Sequence, residues 1–380
     1  MRALHLWDNY APGLFDQSYD ICREEGIEAA LACMNLIAND APPNVRFVRR
    51  LCRSAPPPGI IQKILKRIRR SVDEKAFRRL VNAEIERFRP DVLHVHYGTT
   101  GAILIADPKL LQTPFALSFY GFDISQGVQD PAINSAYRRL MKRRPLVHIL
   151  CDEAAKRAIE LGADPDRIVD ANLPLPLDRY PDIGIQGSVT RWLIPARFVE
   201  KKGHEILLQA FARHLSRYPD HQLTCWGYGS GDRLRDRVKA LGLHRAASVI
   251  NNEDEGPFDE AYLEQLRRHD VILAPSVRAK RGDDEGGPAL TAVLAQVAGK
   301  PVILSDFPGS ERSVTDGIEG LIVPQGDVGA LAEAMASLAD DPDSARAMGQ
   351  RGRGRATTEF SREAYRDALL GWYRRLAGEA

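Results

Sequence analysis

The feature that most constrains the fold of this chain is a repeated alternation of short apolar runs with stretches of helical periodicity. Eight short runs have the length and composition of buried strands: residues 91–98, 115–121, 145–151, 191–197, 222–229, 247–251, 270–276 and 300–306. Residues 205–215 and 330–339 carry apolar side chains at helical spacing. Because strands that alternate with helices form βαβ units, the sequence predicts an α/β fold with two parallel sheets in series.

The length of the chain sets the expected number of domains. With 380 residues it exceeds what one hydrophobic core usually supports, so we expect two domains with a cleft between them. Residues 173–188 are rich in Pro, Gly and Asp, and can neither continue a helix nor fill a central strand. We place the boundary near residue 186, which gives domains of residues 1–185 and 186–358. Residues 359–380 read as an amphipathic helix that must dock on another surface.

The composition excludes several classes of protein. A net charge of +1 gives no overall field for binding a polyanion. The five cysteines are scattered and never spaced C-x-x-C, which favours reduced thiols in a cytosolic protein over disulfides or a metal site. The first residues do not resemble a signal peptide, and no apolar run approaches the roughly 18 residues of a membrane helix. We therefore expect a cytoplasmic protein that does not span a bilayer.

The loops after the predicted strands are the candidate ligand sites, because ligands of open α/β sheets bind outside the carboxyl ends of the strands. Arg197 ends one strand, and Lys202 follows in a turn closed by Gly203. A guanidinium and an ammonium group at this edge suit a phosphate or diphosphate. A solvated basic turn is the alternative that these residues leave open. "GYGSGD", with Gly227 and Gly229, fits either a backbone approach to a ligand or a tight strand-to-helix loop.

A second candidate is the stretch "DDEGGPAL". Pro288 suits the first turn of a helix that ends near Val297. The free N–H groups from Gly287 to Leu290 would then favour a phosphate oxygen. Glu285 would repel phosphate, so we expect it to accept hydrogen bonds from sugar hydroxyls; alternatively, it only favours the positive end of the helix dipole.

Together these motifs resemble family 4 glycosyltransferases in order and spacing: "ARFVEKKGHEILLQAFA", "WGYGSGDRL", "APS", "EGGPALTAVLAQVAGKPVI" and "GSERSVTDGIEGLIVPQGD". The first half is similar in "PDVLHVHYGTTGA" and "FALSFYGFDIS". The resemblance covers nearly the whole chain and is strongest from residue 190 to 330. It implies a GT-B fold, with two Rossmann-like domains whose parallel sheets face a central cleft. The acceptor would bind the first domain and the nucleotide-sugar the second, and residues 359–380 would form a helix that crosses back to the first domain.

The resemblance also implies roles for residues. The family is metal-independent, needs no cofactor besides its nucleotide-sugar substrate, and usually retains the anomeric configuration. Arg197 and Lys202 would bind the diphosphate, and Glu285, the first acid of a Glu-x7-Glu motif, would face the sugar. Tyr120 and Asp123 would lie near the transferred sugar and complete the catalytic set. The implied donor-binding residues are Gly13, Gly227, Gly229, Gly286, Gly287, Pro288, Ala289 and Leu290.

Two positions depart from the family pattern. Val293 stands where the second Glu would hold the ribose, and Tyr120 stands where many members have His. The Tyr hydroxyl can donate a hydrogen bond but is a poor base at neutral pH. A lost ribose contact costs about 1.5 to 3 kcal/mol of binding, which weakens donor affinity without abolishing the chemistry. Because Arg197 and Lys202 are present, we interpret the chain as an active variant rather than a relic.

Residues 41–72 contain nine Lys or Arg and no acid. Within "GIIQKILKRIRRSV" isoleucines line one helical face, and four of the basic residues around it are Lys63, Lys66, Arg67 and Arg70. A basic amphipathic helix predicts docking on an anionic membrane surface. The alternative is a surface helix whose isoleucines pack on the first domain. No aromatic residue interleaves the charges of this helical stretch, which argues against nucleic-acid binding.

His94 and His96 point the same way on a strand, but no third ligand is spaced for a metal site. We interpret them as strand-end residues that line the cleft.

The sequence as a whole predicts a glycosyltransferase that moves a hexose from a nucleotide-sugar to a saccharide or lipid-linked acceptor. We expect it to act in surface polysaccharide biosynthesis, at the cytoplasmic face of the membrane. The alternative, motivated by Val293 and Tyr120, is a non-catalytic glycosyltransferase-like protein that binds a saccharide or a partner protein.

Overall fold

The structure is a computed structural model that describes residues 1–10, 17–36, 45–50, 60–253, 255 and 258–378, with the backbone alone for residues 10, 17, 49–50 and 60–70. The described chain divides into two units. The first comprises Met1–Pro174 together with Glu363–Ala380, and the second comprises Leu175–Arg362. Each unit has its own sheet and its own hydrophobic core.

The first unit is built on a seven-stranded sheet in the order β3-β2-β1-β4-β5-β6-β7, with every pair parallel. Its strands are β1 (Arg2–Tyr10), β2 (Glu28–Leu36), β3 (Val45–Arg50), β4 (Val92–His96), β5 (Phe115–Ser118), β6 (Leu146–Ile149) and β7 (Ile168–Asp170). Its helices before the second unit are α1 (Gln17–Glu24), α2 (Ile60–Phe88), α3 (Gly98–Leu104), α4 (Pro131–Met141) and α5 (Asp152–Glu160).

The second unit is built on a six-stranded parallel sheet in the order β10-β9-β8-β11-β12-β13. Its strands are β8 (Arg191–Pro195), β9 (Gln222–Gly227), β10 (Ala247–Asn251), β11 (Val271–Ala274), β12 (Val302–Ser305) and β13 (Leu321–Val323). Its helices are α6 (His204–Leu215), α7 (Asp232–Ala240), α8 (Phe258–Arg268), α9 (Leu290–Val297), α10 (Ser310–Ser313), α11 (Val328–Asp340) and α12 (Pro342–Glu359).

Both sheets have the strand order of a doubly wound Rossmann fold. In each, the first strand lies between the second and the fourth, so the direction of winding reverses beside it: between β1 and β4, and between β8 and β11. Ligands of such sheets bind outside the carboxyl ends of the strands at this switch point. The predicted α/β class with two parallel sheets is confirmed, and the switch point of the second sheet is where Arg197 and Glu285 follow their strands.

The last helix, α13 (Arg362–Ala377), returns to the first unit. Its buried residues pack in a core beside β1 and β2, and are Tyr365, Leu369, Trp372, Tyr373 and Leu376. The Tyr365 hydroxyl also lies 2.9 Å from Oγ of Ser18 in α1. Ala364 is exposed and does not belong to the buried face of this helix.

The division between the units falls after Pro174, earlier in the chain than the predicted boundary near residue 186. The backbone N–H groups of Ile183 and Gly184 both donate to the carbonyl of Ala298, at 2.9 and 3.0 Å. Ile185 and Val189 lie in the core of the second unit. The Pro- and Gly-rich stretch is therefore bound to the second unit rather than acting as a free linker.

Candidate functional site

The loops at the carboxyl edge of the second sheet pack unusually close to one another at two glycines. A Cβ on Gly203 would lie 1.8 Å from the carbonyl oxygen of Pro275, and one on Gly227 would lie 1.9 Å from that of Ala196. Gly203 also has a φ of 71°, which favours glycine. Only glycine permits these contacts, so the turn after β8 is held against the loops after β9 and β11.

Arg197 is the most accessible cation of this edge among the sequence-predicted residues. It follows β8 directly, and its side chain is exposed. Its guanidinium group makes no hydrogen bond or ion pair with any residue of the described chain. The backbone beside it is fixed, because Phe198 donates its N–H to the carbonyl of Tyr228 at 3.0 Å. Arg197 is therefore a positioned, unneutralised cation at the switch point.

Lys202 and Glu285 form an ion pair across the switch point. Nζ of Lys202 lies 2.6 Å from Oε1 of Glu285, and the Ser276 hydroxyl donates to the same oxygen at 2.8 Å. Ser276 is buried after β11, and its carbonyl accepts a hydrogen bond from the hydroxyl of Ser305, the last residue of β12. Three neighbouring strand ends therefore place the Glu285 carboxylate.

Lys201 also belongs to this cluster, although the sequence analysis did not single it out. Its Nζ lies 3.1 Å from Oδ1 of Asp283, 3.1 Å from the carbonyl of Asp284 and 3.8 Å from Oε2 of Glu285. The sequence signal was the doubled lysine of "EKKG", which does not reveal which lysine faces inward. The described cluster thus contains two lysines and the carboxylates of Asp283 and Glu285.

Glu285 stays ionised in this setting. Burial alone would raise its pKa, but the charges of Lys202 and Lys201 and the hydrogen bonds from Lys202 and Ser276 outweigh that effect. Together they hold the pKa of Glu285 below its usual value. A half-buried, ionised carboxylate between two ammonium groups can accept hydrogen bonds from the hydroxyls of a bound sugar.

Helix α9 begins later than the sequence predicted. Its first residue is Leu290 and its N-cap is Ala289, so Pro288 lies in the preceding loop and not in the first turn. The N–H of Ala289 already donates to Oγ of Ser313 at 3.0 Å, and is therefore not free for a ligand. Gly286 and Gly287 lie in the same loop, where a Cβ on Gly309 would lie 2.3 Å from the carbonyl carbon of Gly287.

The position of the missing second acid lies in the core. Val293 is fully buried in the middle of α9, whose residues from Ala292 to Val297 are all buried. Its methyl groups therefore offer no contact to a ligand. The Gly227 and Gly229 loop lies between β9 and α7, where Asn251 donates to the carbonyl of Gly229 at 3.4 Å.

Asp123 has a structural role in the first unit and does not reach the surface. It is fully buried, and its two oxygens accept hydrogen bonds from the N–H groups of Gly98, at 2.8 Å, and Tyr120, at 3.0 Å. Burial raises the pKa of Asp123 to about 6, although these backbone hydrogen bonds lower it. It joins the loops that follow β4 and β5 at their carboxyl ends.

Tyr120 directs its hydroxyl toward the interior. The oxygen lies 2.7 Å from Nδ1 of His96, and Nε2 of His96 lies 3.0 Å from Nδ1 of His5. His94 and His96 are fully buried, so the interpretation that they line a cleft is wrong. The apolar neighbours of β1 and α13 cover them.

A third histidine, His5, lies on the adjacent strand in register with His94. In the described chain the nitrogens of His5, His94 and His96 approach within 4.8 Å of one another, close enough for a metal ion. Burial lowers the pKa of each ring. They are therefore neutral at pH 7.

Hydrogen bonds account for the orientation of His94. Nε2 of His148 must donate to the carbonyl of Ala171 at 2.9 Å, so its Nδ1 accepts from the Ser118 hydroxyl at 3.0 Å. Oγ of Ser118 then accepts from Nε2 of His94 at 2.8 Å, and Nδ1 of His94 accepts from the Tyr373 hydroxyl at 2.9 Å. Metal binding by His94 would have to break this array, which ties α13 to the sheet.

The remaining predicted residues lie outside what the structure describes. Gly13 lies outside the described residues, and the side chains of Lys63, Lys66, Arg67 and Arg70 are likewise not described. Within the described chain, no helix combines the length and the apolar character needed to cross a membrane.

Two sequence families match this chain. The family described as "Glycosyl transferases group 1" matches residues 182–355, and the "Glycosyl transferase 4-like domain" matches residues 20–169. The amylovoran biosynthesis glycosyltransferase AmsK of Erwinia amylovora is 25% identical over 294 residues, covering 76% of this chain and 71% of AmsK. The phosphatidyl-myo-inositol mannosyltransferase of Mycolicibacterium smegmatis is 27% identical over 265 residues, covering 66% of this chain and 62% of that enzyme.

Solved structures share the fold over the full length of the chain. Sucrose-phosphate synthase from Thermosynechococcus elongatus aligns with a TM-score of 0.78 and 18% identity, covering 100% of both chains. Anabaena HepE in complex with UDP aligns with a TM-score of 0.71 and 15% identity, covering 100% of this chain and 99% of HepE. The two-unit architecture is that of the GT-B fold.

Proposed function

Because the chain belongs to the group 1 glycosyltransferases of family 4, we propose that it transfers a hexose from a nucleotide-sugar donor to a saccharide or lipid-linked acceptor. The anomeric configuration is retained, and no metal ion or other cofactor takes part. The product belongs to a surface polysaccharide or glycolipid, in keeping with the names of the relatives AmsK and phosphatidyl-myo-inositol mannosyltransferase. The reaction takes place in the cytoplasm, at the inner face of the membrane.

The observation that carries this proposal is the cation arrangement at the switch point of the second sheet. Arg197 is exposed and unpaired in the described chain, and Lys202 follows on the same turn with its ammonium on Glu285. The guanidinium fork binds two oxygens of a diphosphate, and the ammonium adds a mobile point charge. That HepE was solved with UDP and with UDP-glucose supports a UDP-sugar donor.

The reaction then depends on positioning and charge. Arg197 and Lys202 stabilise the negative charge that develops on the leaving diphosphate, and Glu285 orients the sugar through its hydroxyls. The acceptor oxygen bonds to the anomeric carbon of the sugar as the bond between that carbon and the diphosphate breaks. The departing diphosphate takes the proton of the acceptor hydroxyl. Because the acceptor attacks on the same face of the sugar that the diphosphate leaves, the configuration is retained. Tyr120 and Asp123 shape the loops after β4 and β5 rather than contacting the sugar, because the Tyr120 hydroxyl and the Asp123 carboxylate face inward.

The test is a turnover assay with a panel of UDP-, GDP- and ADP-sugars, in which release of the nucleoside diphosphate is measured. We expect release with one donor class, and a loss of at least tenfold in Lys202→Ala. Lys239→Ala is the matched control, because Lys239 is an exposed lysine of α7 in the same unit. No release with any donor, or equal release by Lys202→Ala and wild type, would refute the proposal.

The burial of Val293 favours a second candidate, a non-catalytic protein that binds a saccharide or a partner protein. Such a protein binds no diphosphate, so its function does not depend on the unpaired Arg197. It therefore predicts that Arg197→Ala complements a deletion strain as well as wild type does. A strong loss of cellular function in Arg197→Ala removes this candidate.

A further inference from the structure

Both the backbone and the side chain of Lys201 form hydrogen bonds with the loop after β11. Its carbonyl accepts a hydrogen bond from the N–H of Val277 at 2.8 Å. Its Nζ lies 3.1 Å from both Oδ1 of Asp283 and the carbonyl of Asp284. Burying an ammonium group is costly unless it is paired and hydrogen-bonded, and Asp283 and Asp284 satisfy that requirement. Lys201 is therefore a fixed charge.

Lys202 differs from Lys201 in how far it reaches solvent. The side chain of Lys202 is 25% exposed, whereas that of Lys201 is 8% exposed. Lys202 also makes one ion pair, with Glu285, while Lys201 pairs with Asp283 and Glu285. Only Lys202 can turn toward a ligand in solvent without losing several contacts.

The two lysines hold opposite oxygens of one carboxylate. Lys202 lies on Oε1 of Glu285 at 2.6 Å, and Lys201 lies 3.8 Å from Oε2. If Lys202 moved to a diphosphate, Glu285 would be left as a half-buried carboxylate beside new negative charge. Lys201 would still lie against its other oxygen and balance that charge.

We propose that Lys201 is a positioning residue that allows Lys202 to exchange Glu285 for the diphosphate of the donor. This inference rests on the proposed function, because it assumes that a nucleoside diphosphate binds at this edge. Lys201 does not contact the donor. It keeps the Glu285 carboxylate in place and balances its negative charge while Lys202 binds the diphosphate. The exchange therefore does not leave an unpaired carboxylate next to the phosphates.

The experiment measures the affinity of full-length protein for UDP, GDP and ADP by titration calorimetry, in wild type, Lys201→Met and Lys201→Arg. We expect Lys201→Met to bind the preferred nucleoside diphosphate about tenfold more weakly, and Lys201→Arg to restore most of the affinity. Lys239→Met, which removes an exposed lysine of the same unit, should bind like wild type. Lys201→Gln removes the charge but keeps a donor for the Asp284 carbonyl, and serves if Lys201→Met does not fold.

A comparison in a second background separates this role from that of a structural anchor. In a Glu285→Gln background Lys201 has no charge on Glu285 to balance, so Lys201→Met should change the affinity less than twofold there.

Each outcome is decisive. An equal loss in both backgrounds would make Lys201 only an anchor of the loop, and wild-type affinity in Lys201→Met would exclude any role in binding. Both results leave the proposed function standing, since wild type still binds. If wild type binds none of the three nucleoside diphosphates, the proposed function and this inference fail together.

Discussion

Nζ of Lys202 lies 2.6 Å from Oε1 of Glu285, and the Ser276 hydroxyl donates to that same oxygen. The second cation of the proposed diphosphate site is therefore neutralised by Glu285, while the first, Arg197, has no ion-pair partner in the described chain. Under the proposed function, donor binding breaks the Lys202–Glu285 pair, which lowers the net affinity for diphosphate. In return, the pair holds both side chains in place before the donor arrives.

The Glu285 carboxylate makes stability depend on pH. Its pKa in the folded protein lies below the usual value of 4.5. A depressed folded pKa contributes stability above the unfolded pKa, and this contribution is lost as the pH falls through the folded pKa. We therefore expect the free energy of unfolding of wild type to exceed that of Glu285→Gln at pH 7, and the difference to shrink below pH 4.5. Urea unfolding of both proteins at pH 7 and pH 3.5 measures this. A difference that grows at acidic pH would contradict the ion pair.

Restoring the family's second acid should destabilise the protein rather than improve donor binding. Val293 is fully buried among the buried residues of α9, so Val293→Glu would place a carboxylate out of reach of solvent. We expect a loss of about 3 kcal/mol or more in the free energy of unfolding. Val293→Gln, the uncharged counterpart, should lose less. A Val293→Glu protein as stable as wild type, with tighter nucleoside diphosphate binding, would show that this face of α9 reaches the ligand.

Removing the Tyr120 hydroxyl should affect stability and leave donor binding unchanged. In Tyr120→Phe, Nδ1 of His96 loses its 2.7 Å partner in a buried position, which costs about 1 to 3 kcal/mol. Tyr373→Phe should cost a similar amount, because Nδ1 of His94 then loses its partner. Thermal unfolding with calorimetric titration of the nucleoside diphosphate measures both effects. Unchanged stability with weaker donor binding in Tyr120→Phe would mean that the hydroxyl serves the substrate.

The basic stretch within residues 41–72 predicts binding to anionic membranes. The side chains that would make this contact lie outside the described ones, so an experiment has to test the prediction. Replacing Lys63, Lys66, Arg67 and Arg70 with Gln removes four charges, each worth about 1 kcal/mol near an anionic surface. Binding to vesicles of phosphatidylglycerol and phosphatidylcholine should fall by at least a hundredfold, whereas Lys239→Gln should bind like wild type. Undiminished binding by the fourfold variant would assign membrane docking to another surface.

Strands could be predicted from the sequence where the local residue pattern agrees with the burial of the strand in the fold. All eight predicted strands coincide with observed ones, and seven of them are largely buried, as the apolar strands of parallel sheets usually are. The eighth, β10, lies at the edge of its sheet and is partly exposed. β2 escaped prediction because "EAALACMNL" is rich in alanine, which favours helix; its strand conformation comes from pairing between β1 and β3. β3 escaped because three of the six residues of "VRFVRR" are arginines.

The candidate site was predictable in its parts and not in its pairings. Motif order located Arg197, Lys202 and Glu285, and the topology places all three at strand ends beside one switch point. Which lysine of "EKKG" is buried depends on the approach of Gly203 to Pro275, a contact between distant segments that no local pattern encodes. The inward turn of Tyr120 depends in the same way on His96 of the neighbouring strand.

Arg197 has no ion-pair partner in the described chain, and we propose that it binds the diphosphate of a nucleotide-sugar. The direct measurement is the affinity of Arg197→Ala for UDP, GDP and ADP by titration calorimetry, with Lys239→Ala as control. Because Arg197 has no partner in the described chain, its loss should change the free energy of unfolding by less than about 0.5 kcal/mol. We expect the affinity of Arg197→Ala for the preferred nucleoside diphosphate to fall about 10- to 100-fold, and that of Lys239→Ala to stay unchanged. Equal affinity of Arg197→Ala and wild type would contradict it.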